Sequence, residues 1–328
     1  MKKVCFYINT LNASGGTQSI LTFLANSLIN DFNVSIIITD DKEPFYELSP
    51  KVKIERILKR NKNKYLSILN LNLSLRKILK NEKYDKIVFL DSNSFLYNSL
   101  FLPKNVNILI WEHFSLPLNS NKLHYKISRL FSVLRCTKFV LISESDLNIW
   151  KSKFKFWKQK FTKIYNPSRF EVDSVNFQTN YDFHKVIAIG NKVEVKGFDL
   201  LLDVWALVEQ SNWKLEIIGL DVMEMNKLKQ NENYIKRKDT IFLKNRSTNL
   251  KEEYKKASIF CLPSRKEAFP LVLIESQFFG LPVVAFDISD GVKEIISEFN
   301  SGILVKHFEV REYANQLQKL MNNFVDYV

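Results

Sequence analysis

The sequence predicts an α/β protein of two Rossmann-like domains, each a parallel sheet with flanking helices, that face a central cleft. Apolar runs of strand length alternate with segments of helical spacing over most of the 328 residues, a pattern typical of consecutive strand–helix–strand units. A polar segment at residues 168–183 interrupts this alternation, and the charge of the chain changes at the same place. We therefore expect one domain over residues 1–168 and a second over residues 169–328.

Charge is distributed unevenly between the two predicted domains. Residues 1–170 carry 28 Lys and Arg against 12 Asp and Glu, whereas the remainder carries 20 against 23. A basic first half favours an anionic partner such as a membrane surface, a phosphorylated lipid or a nucleic acid, with solubility as the alternative explanation. Because no motif for reading a nucleic-acid groove accompanies the charge, we expect no nucleic acid as a partner.

Cysteine usage and hydropathy bear on the compartment. Cys5, Cys136 and Cys261 are odd in number and lie in apolar runs, which indicates core packing rather than a disulfide or a metal site. The apolar run near the amino terminus is too short for a signal peptide, and no run has the length of a membrane span. We expect a cytoplasmic protein, with a peripheral position on the inner face of the plasma membrane as a further hypothesis.

The first domain begins with a strand at 4–9, and a Gly15-Gly16 turn then leads into a helix. Adjacent glycines at such a turn let backbone amides approach a phosphate or sugar closely, although a tight turn alone would use the same residues. Further elements are strands at 34–39, 52–57, 85–91, 105–113 and 138–143, and helices at 65–80 and 123–134.

Glu112 and His113 end one of these strands. Ligands of open parallel sheets bind at the carboxyl ends of the strands, so we interpret the pair as ligand-facing, with a structural histidine as the alternative.

A basic and aromatic segment closes the first domain. Trp150, Phe154, Trp157 and Phe161 recur at spacings of three and four residues, which predicts one apolar stripe on a single helix. The other faces carry lysines, namely Lys151, Lys153, Lys155, Lys158 and Lys160. One interpretation packs the stripe against the sheet and solvates the lysines, and the other lays the helix on an anionic membrane.

The second domain repeats the alternation. It has strands at 184–190, 214–219 and 240–245, and helices at 198–209, within 221–231 and near 249–257. Its most informative part is a strand at 259–262 followed by a helix at 271–279, which Pro270 opens and Gly280 ends. Glu267 lies in the loop between them and Glu275 in the second helical turn, so two carboxylates lie at the edge where ligands bind.

Taken together, these motifs resemble those of glycosyltransferase family 4, retaining enzymes of the GT-B fold that use nucleotide-activated sugars. The matching segments are SGGTQ at 14–18, WEH at 111–113, IYNP at 164–167, IGNKVEVKGFDLLLDVWALV at 189–208, FLKNRSTNLKEEYKKASIFCLPS at 242–264, and the pair Glu267 and Glu275. Two glutamates at this spacing are uninformative alone. In this order, with KGFDLLL upstream, the pattern is specific and spans nearly the whole chain.

The resemblance implies a role for particular residues. It places Gly15 and Gly16 near the donor phosphates and the acceptor, His113 at the transferred sugar, and Lys196 at the donor diphosphate. It implies that Phe269, Pro270 and Leu271 offer backbone amides to the sugar and phosphate. Glu267 would contact the sugar hydroxyls and Glu275 the ribose hydroxyls, and the nucleobase would lie along the backbone near Arg246. Physical chemistry agrees, because carboxylates accept hydrogen bonds from hydroxyls and a lysine stabilises charge that grows on a departing diphosphate.

One departure from the family pattern concerns the diphosphate. Asn191 stands where the family has an arginine directly after the glycine, so either Arg265 or Lys266 compensates or donor binding is weak. No D-x-D motif occurs, and we expect neither a metal nor another cofactor.

The leading hypothesis is a retaining glycosyltransferase that moves a hexosyl or N-acetylhexosaminyl group from a nucleoside diphosphate sugar to a glycan acceptor. Uridine is favoured over guanosine, and the expected setting is assembly of bacterial surface polysaccharide, lipopolysaccharide or lipid-linked oligosaccharide. The basic first domain would then meet an anionic membrane and the lipid phosphate. The alternatives are a GT-B epimerase acting on the nucleotide sugar, and a non-catalytic module that binds nucleotide sugars or anionic membranes.

Overall fold

The computed structural model describes residues 1–58, 63–103, 105–113, 123–170, 184–209, 212–247 and 249–323. The chain divides into two compact units, unit 1 at Met1–Arg169 and unit 2 at Phe170–Val328. In each unit, helices pack on a parallel sheet, which confirms the predicted α/β class.

The sheet of unit 1 has the strand order β3-β2-β1-β4-β5-β6-β7. Its strands are β1 Lys2–Tyr7, β2 Phe32–Ile38, β3 Lys53–Arg56, β4 Lys86–Phe89, β5 Asn107–Glu112, β6 Lys138–Leu141 and β7 Phe161–Lys163. Its helices are α1 Gly16–Leu28, α2 Lys64–Glu82, α3 Ser92–Asn98, α4 Leu123–Arg135 and α5 Glu144–Lys153. The direction in which successive strands are added reverses between β1 and β4, and this is the position at which open α/β sheets bind ligands.

The predicted single helix through Trp150 and Phe161 is wrong. Helix α5 ends at Lys153, Phe154 has φ −115° and ψ 54°, and a 3₁₀ helix then spans Lys155–Lys160 before β7 begins. Trp150, Phe154 and Phe161 are nevertheless all buried in the core of unit 1, and Trp157 packs against that core. The packing interpretation of these aromatic residues is therefore confirmed.

The sheet of unit 2 has the strand order β10-β9-β8-β11-β12-β13. Its strands are β8 Lys185–Ile189, β9 Lys214–Ile218, β10 Ile241–Lys244, β11 Ile259–Leu262, β12 Val283–Asp287 and β13 Gly302–Lys306. Its helices are α6 Val193–Lys196, α7 Phe198–Leu207, α8 Val222–Lys229, α9 Glu232–Arg237, α10 Leu250–Lys255, α11 Leu271–Phe278, α12 Asp290–Phe299 and α13 Val310–Asn322. Here the direction of strand addition reverses between β8 and β11.

Two further findings concern the sequence expectations. Cys5, Cys136 and Cys261 are buried and form no disulfide, which confirms their assignment to the core. None of the helices in the described ranges is long and apolar enough to cross a bilayer.

Candidate functional site

The loops that follow β8 and β11 are tied together where unit 2 reverses its strand order. Gly197 joins α6 to α7 with φ +65°, and a Cβ at this position would lie 2.0 Å from the carbonyl oxygen of Pro263. The backbone amide of Arg265 donates to the carbonyl of Val195 at 2.9 Å. Glycine is required here both by the left-handed conformation and by the close approach of the second loop.

This contact brings together two residues that the sequence assigned to separate roles. Nζ of Lys196 lies 2.5 Å from Oε1 of Glu267, and Oγ of Ser264 donates to the same oxygen at 3.0 Å. Only 20% of the Lys196 side chain and 11% of the Glu267 side chain are exposed. The aliphatic part of Lys196 lies against Gly190, where a Cβ would come within 2.5 Å of its Cγ. An anion that binds Lys196 therefore has to compete with Glu267 for the ammonium group.

The basic residues near Asn191 differ in their contacts with other side chains. Arg265 makes a bidentate pair with Asp199, with both N–O distances at 2.6 Å, and it also donates to the carbonyl of Glu194. Asn191 and Lys266 are exposed. Because Arg265 is committed to Asp199, Lys266 is the better placed of the two cations that the sequence offered as substitutes for the missing arginine.

The loop from Ala268 leads into the amino terminus of α11. Pro270 is the N-cap residue, with φ −71° and ψ 119°, and Leu271 is the first helical residue. Proline has no amide hydrogen, so the expectation that Pro270 donates through its backbone is wrong. The amide of Leu273 donates to the carbonyl of Pro270 at 3.1 Å, whereas the amides of Leu271 and Val272 precede this first hydrogen bond and can serve an anion. A Cβ on Gly291 would lie 1.9 Å from the carbonyl oxygen of Ala268, so α12 supports the loop from behind.

Glu275 lies on α11 and is buried, with 4% of its surface exposed. The hydroxyl of Tyr254 donates to its Oε2 at 2.9 Å, and the Tyr254 ring stacks on Phe279 at a centroid distance of 5.3 Å. The sequence singled out Glu275 but missed Tyr254. Tyr254 precedes Glu275 by 21 residues on another helix, and no spacing rule connects the two positions.

Arg246 follows the carboxyl end of β10 and is exposed. Lys244, at the end of that strand, makes ion pairs with Glu216 at 2.8 Å and Glu253 at 3.0 Å. These ion pairs hold the end of β10 to β9 and α10, and Arg246 thus projects from a fixed strand end at the carboxyl edge of the sheet.

In unit 1, His113 follows β5 directly and its ring packs on Trp111 at a centroid distance of 4.5 Å. Burial lowers the pKa of His113 to about 4, so the imidazole is neutral at physiological pH. Its Nε2 is buried and has no hydrogen-bond partner among the described residues. A neutral imidazole can both donate and accept a hydrogen bond, which suits a hydroxyl-bearing ligand.

Glu112 lies beside His113 at the end of β5 and is 3% exposed. Its Oε2 accepts the backbone amide of Ser92, the first residue of α3, at 3.2 Å. Burial, together with the nearby Asp91, raises the pKa of Glu112 to about 7. The carboxyl group thus ties β5 to the start of α3 and carries little charge at mildly acidic pH.

The Gly15-Gly16 turn lies at the carboxyl end of β1 in the same unit. Gly15 is the N-cap of α1 in an extended conformation, and no side chain caps the helix. The first-turn amides of α1 are therefore open to an anionic ligand.

The predicted site residues thus fall into two groups at the carboxyl edges of two sheets. Unit 1 holds Gly15, Gly16 and His113, and unit 2 holds Asn191, Lys196, Arg246, Glu267, Phe269, Pro270, Leu271 and Glu275. Lys196 and Glu267 are brought into direct contact.

Comparison with known proteins shows the family. Residues 171–324 match the family of glycosyl transferases group 1. A Haemophilus influenzae protein named as an uncharacterized glycosyltransferase is 30% identical over 327 residues, with 98% of this chain and 91% of that protein covered. The chain therefore belongs to the glycosyl transferases group 1 family and is a glycosyltransferase.

Two further relatives carry more specific names. The amylovoran biosynthesis glycosyltransferase AmsD of Erwinia amylovora is 25% identical, with 98% of this chain and 90% of that protein covered. A Campylobacter jejuni α-1,4-N-acetyl-D-galactosaminyltransferase, named for a glycan acceptor on diphosphoundecaprenol, is 29% identical, again with 98% and 90% covered.

Solved structures agree on the fold. TarM of S. aureus, in a complex that includes UDP, has a TM-score of 0.79 at 15% identity, with 100% of this chain and 94% of that chain covered. HepE of Anabaena with UDP-glucose has a TM-score of 0.78 at 14% identity, with 100% and 91% covered. The fold is that of the GT-B glycosyltransferases.

Proposed function

We propose that this glycosyltransferase moves a hexosyl or N-acetylhexosaminyl group, with retention of configuration, from a UDP-sugar to a glycan acceptor. The observation that carries the proposal is the contact between Lys196 and Glu267, next to the uncapped start of α11. A cation, a carboxylate and free amides are the groups needed for a diphosphate that carries a sugar. The proposed setting is assembly of a bacterial surface polysaccharide, lipopolysaccharide or lipid-linked oligosaccharide, which the names of the Erwinia and Campylobacter relatives support.

In the proposed reaction, the bond between the anomeric carbon and the diphosphate oxygen breaks. The acceptor oxygen bonds to the same face of that carbon, and its proton passes to a phosphate oxygen of the leaving group. The products are the glycoside and UDP. Lys196 and the first-turn amides of α11 stabilise the charge that grows on the diphosphate. In unit 1, neutral His113 is proposed to hydrogen-bond to a hydroxyl of the sugar.

Glu267 has two successive partners in this scheme. In the structure it pairs with Lys196, and Ser264 supports the same oxygen. When the diphosphate takes over Lys196, the Glu267 carboxylate is released to accept hydrogen bonds from the sugar hydroxyls. Donor binding and sugar positioning are thereby linked through one ion pair.

Substitution at this ion pair tests the proposal. Lys196→Ala should lower turnover about 100-fold or more, because the growing charge loses its fixed cation, and should also weaken the thermal stabilisation by UDP. Glu267→Gln should lower turnover while UDP binding is kept or strengthened, since a competitor for the lysine is removed. UDP release from a panel of UDP-sugars measures turnover, and Lys229→Ala, an exposed lysine of α8, is the matched control.

Normal turnover by Lys196→Ala would refute the assignment. Formation of a new sugar nucleotide from donor alone, without release of UDP, would instead indicate an epimerase. Binding of UDP-sugars with neither turnover nor hydrolysis would indicate a binding module.

We also propose that transfer needs no metal or other cofactor, because the leaving group is neutralised by protein groups. Turnover should be unchanged by EDTA, and a loss that Mg²⁺ or Mn²⁺ restores would contradict this part. Finally, we propose that unit 1 associates with an anionic membrane surface, which its excess of 16 basic over acidic residues supports. We propose that it binds no nucleic acid, since no motif for reading a nucleic-acid groove accompanies this charge.

A further inference from the structure

Helix α4 exposes a continuous apolar stripe. Leu123, Ile127, Leu130 and Leu134 follow one another at spacings of four, three and four residues, so they lie on one face of the helix. Their exposed fractions are 71%, 49%, 46% and 50%. The opposite face of α4 carries the buried residues Ser128, Arg129, Ser132 and Val133. The stripe is thus additional to the face that α4 uses in its own unit.

The neighbouring helices expose similar side chains. On α2 these are Tyr65, Leu66, Leu69 and Leu73, and at the end of α3 they are Tyr97 and Leu100. We call these six residues, together with the four of the α4 stripe, the apolar face of unit 1. Scattered exposed apolar residues are ordinary, but clustering on adjacent helices marks an interaction surface.

Hydrogen bonds hold the three helices side by side. Asn72 of α2 donates to the carbonyl of Tyr97 at 2.8 Å and accepts the amide of Leu100 at 2.8 Å. Ser128 of α4 donates to Asn93 of α3 at 2.9 Å. The inner sides of the helices enter one hydrophobic cluster through Leu75, Phe95 and Val133, among others. They therefore form a single layer on one face of the sheet, and their exposed residues point away from it on the same side.

The charges on these helices are almost all of one sign. Helices α3 and α4 contain no acidic residue, and α2 contains only Glu82, which pairs with Lys53 at 2.9 Å. Exposed basic residues on α2 and α4 are Arg76, Lys77, Lys80, Lys126 and Arg135. A second copy of the chain would bring this positive charge against itself, whereas an anionic lipid surface matches both the apolar and the basic residues.

We propose that the apolar face of unit 1 is a docking surface for an anionic lipid bilayer. Helices α2, α3 and α4 lie in the plane of the headgroups, their leucines and Ile127 enter the headgroup–acyl boundary, and the lysines and arginines contact lipid phosphates. The segment that the sequence nominated, 150–161, instead buries most of its aromatic residues in the core. This inference rests on the membrane part of the proposed function and is independent of the donor site.

Flotation of the full chain tests the inference. The chain should float with vesicles of phosphatidylcholine and phosphatidylglycerol and much less with phosphatidylcholine alone. Ile127→Gln combined with Leu130→Gln should reduce the floated fraction about five-fold or more, because both side chains lose their apolar insertion. Val222→Gln with Met223→Gln removes two comparably exposed apolar residues, at 67% and 62%, from unit 2. This control should float like the natural chain.

Lys77→Glu with Lys80→Glu supplies a second variant, which should lose the preference for anionic vesicles. Flotation of the Ile127/Leu130 variant at the natural level would overturn the proposal, and so would failure of the natural chain to float. A dimer in sedimentation velocity that this variant converts to monomer would assign the face to self-association instead. A cooperative melting transition, measured on every variant, shows whether the chain is folded. The shift of that transition by UDP then separates failure of this inference from failure of the donor site.

Discussion

Glu112 and His113 are adjacent in the chain, yet burial shifts their pKa values in opposite directions. Desolvation disfavours the charged form of each group, so the pKa of the carboxyl rises to about 7 and that of the imidazole falls to about 4. Both groups are therefore mostly neutral in the interval between these values. A neutral pair at the carboxyl end of β5 suits hydroxyl groups better than it suits phosphates.

These two shifts predict opposing effects of pH on stability. The raised pKa of Glu112 gives stability that is complete below its unfolded value of 4.5 and is lost as the pH rises through about 7. The lowered pKa of His113 gives stability that is complete above 6.5 and is lost as the pH falls through about 4. Glu112→Gln removes only the first effect. Its free energy of unfolding relative to that of the natural protein should therefore rise steadily between pH 4.5 and 7, by roughly 1.4 kcal/mol per unit of pKa shift removed. The difference in melting temperature between the two proteins measures this rise.

Glu82→Gln is the control for this measurement, because the pKa of Glu82 is lowered by its bond to Lys53 and the group stays ionised above pH 5. Its melting difference from the natural protein should be constant between pH 5.5 and 8. If the melting difference between Glu112→Gln and the natural protein is equally constant with pH, Glu112 is already ionised in the folded protein.

At the scale of elements, Gly197 fixes the geometry of the proposed donor site. Alanine there would place a Cβ 2.0 Å from the carbonyl of Pro263 at a φ of +65°, so the loops after β8 and β11 would have to separate. We expect Gly197→Ala to cost roughly 3 kcal/mol or more. It should also weaken UDP binding, because the contact between Lys196 and Glu267 depends on the same approach.

Gly280→Ala is the matched control, since Gly280 has φ +71° but nothing lies within 4 Å of an added Cβ. It should cost only about 1 kcal/mol and leave UDP binding unchanged. Urea denaturation and UDP titration of both variants make the comparison. Equal costs for the two glycines would show that the backbone conformation, and not the loop contact, dominates.

The elements also show what periodicity can predict. The helix expected at 271–279 is α11, because Pro270 and Gly280 mark its ends with residues of fixed conformational preference. The spacing of aromatic residues at 150–161 identified buried positions correctly, but it wrongly predicted one continuous helix. A 3₁₀ helix and a strand follow the end of α5 and keep the aromatic residues on the same side. Helix α3 was not predicted because its sequence, SNSFLYN, is polar and short. It is stabilised by the Asp91 side chain, which accepts the amide of Ser94.

The candidate site was predictable only to the level of strand ends. The alternation of apolar runs placed Glu267 at the carboxyl edge of a sheet, whereas Lys196 was singled out only by the family resemblance. Their ion pair joins positions 71 residues apart. Such pairs depend on the order of strands, which brings β8 beside β11. The same reason applies to Tyr254 and Glu275, and to Arg265, whose partner Asp199 no local pattern reveals.

At the scale of the whole molecule, the two proposed activities differ in their electrostatics. Unit 1 has 28 basic and 12 acidic residues, and unit 2 has 20 and 23. Lipid docking by unit 1 sums many exposed charges over a wide surface, and salt screens such charges strongly. The proposed binding of UDP by unit 2 would rely on short contacts to a largely buried lysine and to helix amides, which salt screens less.

Ionic strength should therefore separate the two activities. Raising NaCl from about 0.05 M to about 0.5 M shortens the Debye length severalfold. The fraction of the natural chain that floats with anionic vesicles should therefore fall by at least as much as the Lys77/Lys80 substitutions lower it. The thermal shift by UDP should change much less over the same range. The fraction that still floats at high salt should depend on Ile127 and Leu130, because apolar insertion is not screened. Flotation that is indifferent to salt would remove lipid charge from the mechanism, and a parallel loss of the UDP shift would show that one surface serves both ligands.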